Sequence, residues 1–392
     1  MRLLAFGFCL AALFSVTESS LLDFWKTILD EVREALFLPH QENKHWELHI
    51  QEPFKYSHRE ILNRTFVVDL LPHHQTMDAI INIGDEDLRV TFDTGAVHSW
   101  ITDPYKCNRP FSTCRKETWR KTFYYGGGNV SGVYCTDHMT IAKKKISNFK
   151  FLRVDEVKIE RISDAAGFIG LRPHNKEPNF LKDLKEQGRI DNESFSLYLT
   201  PQSSKIIFGG VDRKLIKPNK DFRYVKFSKD SLNIEATNLT LTLHPEEKSF
   251  TPKAGKINLI FDSGANYIYV SKEIYYFFKT SLKFDRKKIY TRKEVDETFR
   301  SMKLVTKMSE TGKADKDFDL YIRPIYFMIQ RDDGKYSFGI KIDLNLKENQ
   351  MIMGFASLRD YYMHFDFPQN RIGFACGVGI DYKNTLHNQT YC

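Results

Sequence analysis

The sequence is short of cysteine, with six among 392 residues, and it carries a long apolar run only once. That run, Leu3 to Val16, follows Met1-Arg2 and precedes the small residues Ser19 and Ser20. About 14 apolar residues are too few to cross a bilayer comfortably, so residues 1–20 read as an export signal rather than a membrane anchor. No later stretch is apolar enough to cross, and the polar end from His387 to Cys392 has no lipid-anchor tail, so no membrane span is expected. A phosphate cradle is also missing. The glycine-rich stretch Gly126-Gly127-Gly128 is not followed by the Lys-Ser/Thr pair that a P-loop needs. Acidic excess is absent as well: the net charge is +8. Lys and Arg are spread along the whole chain, which fits a solvated basic surface and no nucleic-acid partner.

Export brings disulfides and glycans into play. Five cysteines remain once Cys9 leaves with the signal. Cys107 and Cys114 are neighbours in sequence and are expected to close a small loop. Cys135, Cys376 and Cys392 then leave one thiol over, and their pairing is not given by one sequence. Glycosylation triplets stand at Asn63, Asn129, Asn192, Asn238 and Asn388.

Aromatic residues are abundant, with 31 Phe and 19 Tyr, which suits strands and large apolar pockets. Residues 21 to 37 have apolar positions at helical spacing with acids between them, and 40 to 75 are rich in His and Pro. The segment 21–72 reads as a pro-segment, the other reading being a permanent extension. From about residue 76 the texture changes to short strands, with helices expected only at 178–187, 271–280 and 355–361. The fold class is mainly β. A seam at Gly209-Gly210-Val211-Asp212 divides an N-terminal lobe, 73–212, from a C-terminal lobe, 213–392.

Two motifs carry the chemistry: Phe92-Asp93-Thr94-Gly95-Ala96 and Phe261-Asp262-Ser263-Gly264-Ala265. Their spacing and shared flanks suggest a duplicated half-site. Two such half-sites facing each other set two carboxylates side by side. Like charges that close cannot both ionise, so the pair keeps one proton where a lone Asp has none. One oxygen then takes a proton from water while the other gives one to a carbonyl. Each motif has a later apolar pair and Gly, Phe168-Ile169-Gly170 and Ile352-Met353-Gly354, expected to form a strand bracketing the Asp loop. Tyr124 to Val133 reads as a hairpin with a glycine tip.

In this arrangement the chain resembles the pepsin-like family of eukaryotic aspartic endopeptidases, over about residues 76 to 376. The resemblance implies a bilobal β fold with an active-site cleft between related lobes, no metal, no cofactor and no covalent intermediate. It matches Asp93 and Asp262 to the catalytic pair and Thr94 and Ser263 to hydroxyls tying the two loops together, with Gly95 and Gly264 orienting the acids. Tyr125 matches the flap tyrosine beside Gly126, and Trp100 its tryptophan partner. Thr91, Ala165 and Phe168 fall where the family lines its primary pocket. Cys107 and Cys114 match a loop disulfide. Lys55-Tyr56 resembles the pair by which pro-segments plug the cleft, the other reading being an ordinary surface Lys.

Four departures qualify the resemblance. The hydroxyl residue that often follows each motif Gly is replaced by Ala96 and Ala265, and losing donors to a carboxylate raises its pKa. Val97-His98-Ser99 is unusual and sets a histidine near the cleft or in ordinary packing. Asn129 sets a glycosylation triplet near the flap tip. Residues 21–73 also hold nine acids against six Lys and Arg, where family pro-segments are basic. The function expected is a secreted or lysosome-like endopeptidase cleaving between bulky apolar residues at mildly acidic pH. Its partners would be a protein or peptide substrate and its own pro-segment, and it would be a monomer. The competing reading is an inactive homologue kept as a binding glycoprotein.

Overall fold

The computed structural model describes residues 64–380 with short gaps, the longest at 103–113. The expected signal and most of the expected pro-segment, including Lys55 and Tyr56, lie outside the described residues, as do Cys107 and Cys392.

Alternating burial starts with the first strand. β1 (Phe66–Asp69) buries Phe66 and Val68 and turns Val67 and Asp69 outward. It falls inside the stretch expected to be a pro-segment, yet it pairs antiparallel with a strand of the later chain. β2 (Asp78–Ile83) and β3 (Glu86–Asp93) form the expected hairpin, with Asp78 opposite Thr91. β4 (Trp100–Thr102), β5 (Arg115–Tyr125), β6 (Gly128–Ile141), β7 (Lys144–Ile159) and β8 (Gly167–Gly170) follow. These strands from β2 onward make one seven-stranded sheet in the order β2-β3-β8-β4-β7-β6-β5.

Helix α1 (Phe180–Glu186) comes next, capped by Asn179, whose Oδ1 accepts from the backbone N–H of Leu181 and Lys182. It buries Phe180, Leu181 and Leu184. β9 (Ser194–Leu199), β10 (Ser204–Phe208) and β11 (Arg223–Lys226) lead to the second half. There the strands are β12 (Ile234–Leu243), β13 (Glu246–Phe250), β14 (Ile257–Asp262) and β15 (Ile268–Val270). After helices α2 (Lys272–Leu282) and α3 (Arg292–Phe299) come β16 (Met302–Ser309), β17 (Asp317–Ile322), β18 (Met328–Gln330), β19 (Tyr336–Phe338), β20 (Ile340–Ile342) and β21 (Gln350–Gly354). An eight-stranded sheet takes β12 to β17 together with β20 and β21, while β18 and β19 pair with each other. The chain closes through a 3-10 turn at Phe355–Asp360, β22 (Tyr362–Asp366) and β23 (Arg371–Ala375).

The third large sheet has the order β1-β10-β9-β22-β23-β11. It takes three strands from each side of the expected seam, so the two halves share it. Its two sides meet where β9 pairs with β22. There Tyr362 Oη lies 3.0 Å from Ser196 Oγ and accepts from the Asp212 backbone N–H at 2.8 Å.

The expected Cys107–Cys114 loop is corrected. Cys114 is bonded to Cys135, with Cα atoms 5.7 Å apart. The cause is the antiparallel β5–β6 hairpin, in which Lys116 faces Cys135 and the residue just before β5 comes alongside. Nearness in space here comes from strand pairing across 21 positions rather than from nearness in sequence. Cys376 is also disulfide-bonded.

Candidate active site

Each Asp loop leaves the end of a buried strand. Phe92 and Phe261 precede the acids and stand on the shared sheet. The Phe92 ring lies 5.9 Å from Phe208 of β10, and the Phe261 ring 5.4 Å from Phe374 of β23. The strand expected to bracket each loop is present in both halves with one topology. β8 runs parallel to β3 and antiparallel to β4, setting Gly170 opposite Asp93. β21 runs parallel to β14 and antiparallel to β15, setting Gly354 opposite Asp262. Both glycines are required by space. A Cβ at Gly170 would come within 2.6 Å of the Val97 carbonyl oxygen, and one at Gly354 within 2.2 Å of that of Tyr267.

The two loops lock together through Thr94 and Ser263, both fully buried. The Thr94 N–H donates to Ser263 Oγ and the Ser263 N–H to Thr94 Oγ1, each at 2.9 Å. The Thr94 hydroxyl then donates to the Phe261 carbonyl at 2.9 Å and the Ser263 hydroxyl to the Phe92 carbonyl at 2.8 Å. Four bonds with a two-fold pattern join motifs 169 positions apart.

This lock brings Asp93 and Asp262 face to face. Asp93 Oδ1 accepts from the N–H of Gly95 at 2.8 Å and of Ala96 at 3.1 Å, and Asp262 Oδ1 from that of Gly264 at 2.9 Å. Each carboxyl lies over the glycine of the other loop. A Cβ on Gly95 would stand 2.6 Å from Asp262 Cγ, and one on Gly264 2.4 Å from Asp93 Oδ2. Burial raises the pKa of Asp93 well above the usual carboxylate range, and the Asp262 charge raises it further. Burial also raises that of Asp262, against donation from Asp93 and from the backbone N–H groups of Gly264 and Ala265. The pair therefore holds a shared proton that a solvated Asp would have lost.

Tyr125 ends β5 beside the exposed tip Gly126-Gly127 and lines a cavity of about 470 Å³ with Asp93, Asp262, His98 and Phe123. Burial and then the Asp93 charge hold its phenol well above its ordinary pKa, while Trp100 pulls it down. The Trp100 indole N–H is buried without a partner of good hydrogen-bond geometry, so its link to Tyr125 is a close approach rather than a formed bond. Phe168 stacks on Trp100 with centroids 5.0 Å apart. Thr91 is fully buried, and its hydroxyl donates to Asp78 Oδ1 at 2.6 Å, so it sits behind the cleft wall. Ala165 is buried too. His98, weighed in the sequence between cleft and packing, does both. It lines the cavity and stacks on Phe123 at 4.0 Å. Burial lowers its pKa, with Glu177 raising it and His174 and Lys121 lowering it.

Among the described residues no group of three or more His, Cys, Asp or Glu is placed to hold a metal ion, and no helix is long and apolar enough to cross a membrane. Sequence reasoning missed Phe123 and Thr122 in the cleft wall; their places just before Tyr125 on a strand were the available signal.

Comparison with known proteins gives the same picture. Residues 78–376 match the family model described as eukaryotic aspartyl protease. The chain is 24% identical over 236 residues to secreted aspartic protease 8 of Candida albicans, a match covering 54% of this chain and 56% of the relative. It is 26% identical over 210 residues to embryonic pepsinogen of Gallus gallus, covering 47% and 54%. With plasmepsin I of Plasmodium falciparum it shares 25% over 329 residues, covering 75% and 67%. The chain thus spans little more than half the length of the Candida and chick relatives. Matched over most of its length, it belongs to the eukaryotic aspartyl protease family.

Proposed function

We propose that the chain is an aspartic endopeptidase in which Asp93 and Asp262 share a proton and activate one water. The observation that carries this reading is the four-bond lock between Thr94 and Ser263, which holds the two buried carboxyls face to face. The ionised oxygen takes a proton from water as the water attacks the peptide carbonyl. The protonated oxygen donates to the carbonyl oxygen and steadies the tetrahedral intermediate. The N–H groups of Gly95 and Gly264 fix the carboxyls, so little reorganisation is left for the reaction. Tyr125 and the glycine tip close over an extended substrate. Phe123 and Tyr125 in the cavity wall favour a bulky apolar side chain beside the scissile bond.

Mild acidity is the expected working range. Ala96 and Ala265 contribute backbone N–H groups but no hydroxyl, so neither carboxylate gains a side-chain donor there. With burial also raising both acids, activity is expected at about pH 4.5 to 6.5. The apolar N-terminal run and the secreted relative support a secretory route, with Lys55 and Tyr56 of a pro-segment as the cap at neutral pH. The same two alanines favour the second reading, a binding homologue without turnover.

The test is cleavage of a denatured protein and a peptide library from pH 3 to 7, with acid-treated chain and an Asp93→Asn control. Cleavage that a statine-type inhibitor blocks and the variant lacks supports the endopeptidase. An optimum below about pH 3.5 would sink the argument from the two alanines. Folded, processed chain that cleaves nothing at any pH points to the binding homologue.

A further inference from the structure

A second cavity, of about 670 Å³, adjoins the cleft and takes no part in the chemistry above. The two cavities share one strand. Thr122 to Tyr125 of β5 line the cleft, and Glu117, Trp119, Arg120 and Lys121 of the same strand line the second cavity, together with Tyr134 of β6 and residues around α1. His98 stands at the junction, because Glu177 and Lys121 of the second cavity act electrostatically on its ring. From Tyr125 to Trp119 the strand advances roughly 20 Å, so a peptide extended beside β5 reaches the cavity some five or six residues from the scissile bond.

The lining sorts by charge once its own pairs are made. Lys150 is bound by Glu117, Arg120 by Asp155 and Glu156, and Lys182 lies 3.7 Å from Glu186. Glu177 and Asp183 are left without a basic ion-pair partner among the described residues, against Lys121 alone. Glu177 stands beside the Tyr134 phenol, a neutral group, and raises its pKa. The Trp119 ring, 77% exposed, offers a bare aromatic face on the same wall. A planar guanidinium satisfies both demands, stacking on the indole and pairing with carboxylates in a fork.

We propose that this cavity is a subsite for a basic side chain, arginine above all, on the polypeptide held in the Asp93–Asp262 cleft. The proposal rests on the endopeptidase reading and adds to it a remote specificity determinant. Asp183 supplies a pH signature. Burial, and then Glu186, push its pKa up to about 6, with Lys182 opposing. The other charged groups lining the cavity are Glu117, Arg120 and Lys121 from β5, Lys150 from β7 and Glu177 ahead of α1, with the Tyr134 phenol from β6. As Asp183 ionises, the pull on a guanidinium strengthens, so the arginine preference grows between about pH 5 and 7.

The experiment uses one efficiently cleaved core peptide, extended on both sides, with Arg, Gln or Glu placed in turn at each of the six positions on either side of the bond. Full-length activated chain and its Glu177→Gln/Asp183→Asn double variant are compared by kcat/KM. The expected result is one remote position where Arg exceeds Gln by about tenfold, growing as pH rises from 5 to 7. The double variant should lose this preference while cleaving the short core peptide as wild type does. A flat scan, or a preference that survives in the double variant, overturns the subsite. The same peptides are titrated by fluorescence anisotropy onto Asp93→Asn chain with and without the double substitution. Should no peptide be cleaved, the endopeptidase reading fails, and binding still decides the subsite. Tighter binding of the Arg peptide, lost with the double substitution, supports it, and equal binding of Arg and Glu peptides overturns it.

Discussion

Acid is expected to loosen the shared sheet through one histidine. His364 sits in β22, 8% exposed, between Phe222 and Tyr224. Its Nδ1 lies 2.9 Å from the Tyr224 hydroxyl, and its Nε2 is buried with no partner. Burial lowers its pKa to about 4, with Asp366 raising it and Arg371 lowering it. Asp366 cannot fully offset burial because it is held by Arg371 at 2.8 Å. The folded value lies below the unfolded one, about 6.5, so the unfolded chain binds the proton more tightly. The stabilisation is fully present above pH 6.5 and lost as pH falls from about 6.5 to about 4. A gap of about 2.5 units at 1.36 kcal/mol each gives roughly 3 kcal/mol. Urea unfolding at pH 7.5, 6.5, 5.5 and 4.5 measures it, with His364→Gln as the comparison. Glutamine keeps an acceptor for the Tyr224 hydroxyl and does not titrate. Stability of wild type relative to the variant should fall by about 2.5 kcal/mol between pH 7.5 and 4.5, the remainder being lost below pH 4.5. Parallel curves for the two proteins would refute the argument.

The paired carboxyls of Asp93 and Asp262 act with the opposite sign. A folded pKa raised above the unfolded value stabilises at low pH and is lost as pH rises through it, so Asp93→Asn should melt higher than wild type at pH 7.5 and alike near pH 4, by calorimetry. Gly264→Ala drives a Cβ to 2.4 Å from Asp93 Oδ2 and should abolish cleavage in a peptide assay while the fold survives by circular dichroism. Phe261→Ala removes the ring on which the second loop stands and should cost about 3 to 5 kcal/mol in urea unfolding.

The duplicated motifs were legible because the two-fold lock between the Asp loops uses the same short string twice. Their bracketing glycines were legible because close backbone approach admits no side chain. The partner of Cys114 was not legible, since it depends on the β5–β6 register, and a bulge between Lys116 and Arg120 shifts that register. Helix α3 escaped notice because its sequence, Arg292 to Phe299, is mostly charged, with Val295 buried completely at its centre. The strand at Phe66–Asp69 was hidden by its polar, proline-containing surroundings. Thr91 was placed in a pocket wall by analogy of position, while a charged neighbour, Asp78, draws its hydroxyl inward. The second cavity is a property of pairing between strands and α1, and no local string announces it.

The sheet shared by the two halves bears on how the chain is made. Its centre joins β9 to β22, so Phe195 waits for Phe365, 170 positions later, before their rings can stack at 4.7 Å. At ribosomal speeds of roughly 5 to 20 residues per second that wait lasts on the order of ten to thirty seconds. Throughout it β9 presents an unpaired apolar edge. A duplicated architecture that looks separable on paper thus closes as one unit only when its last strands arrive.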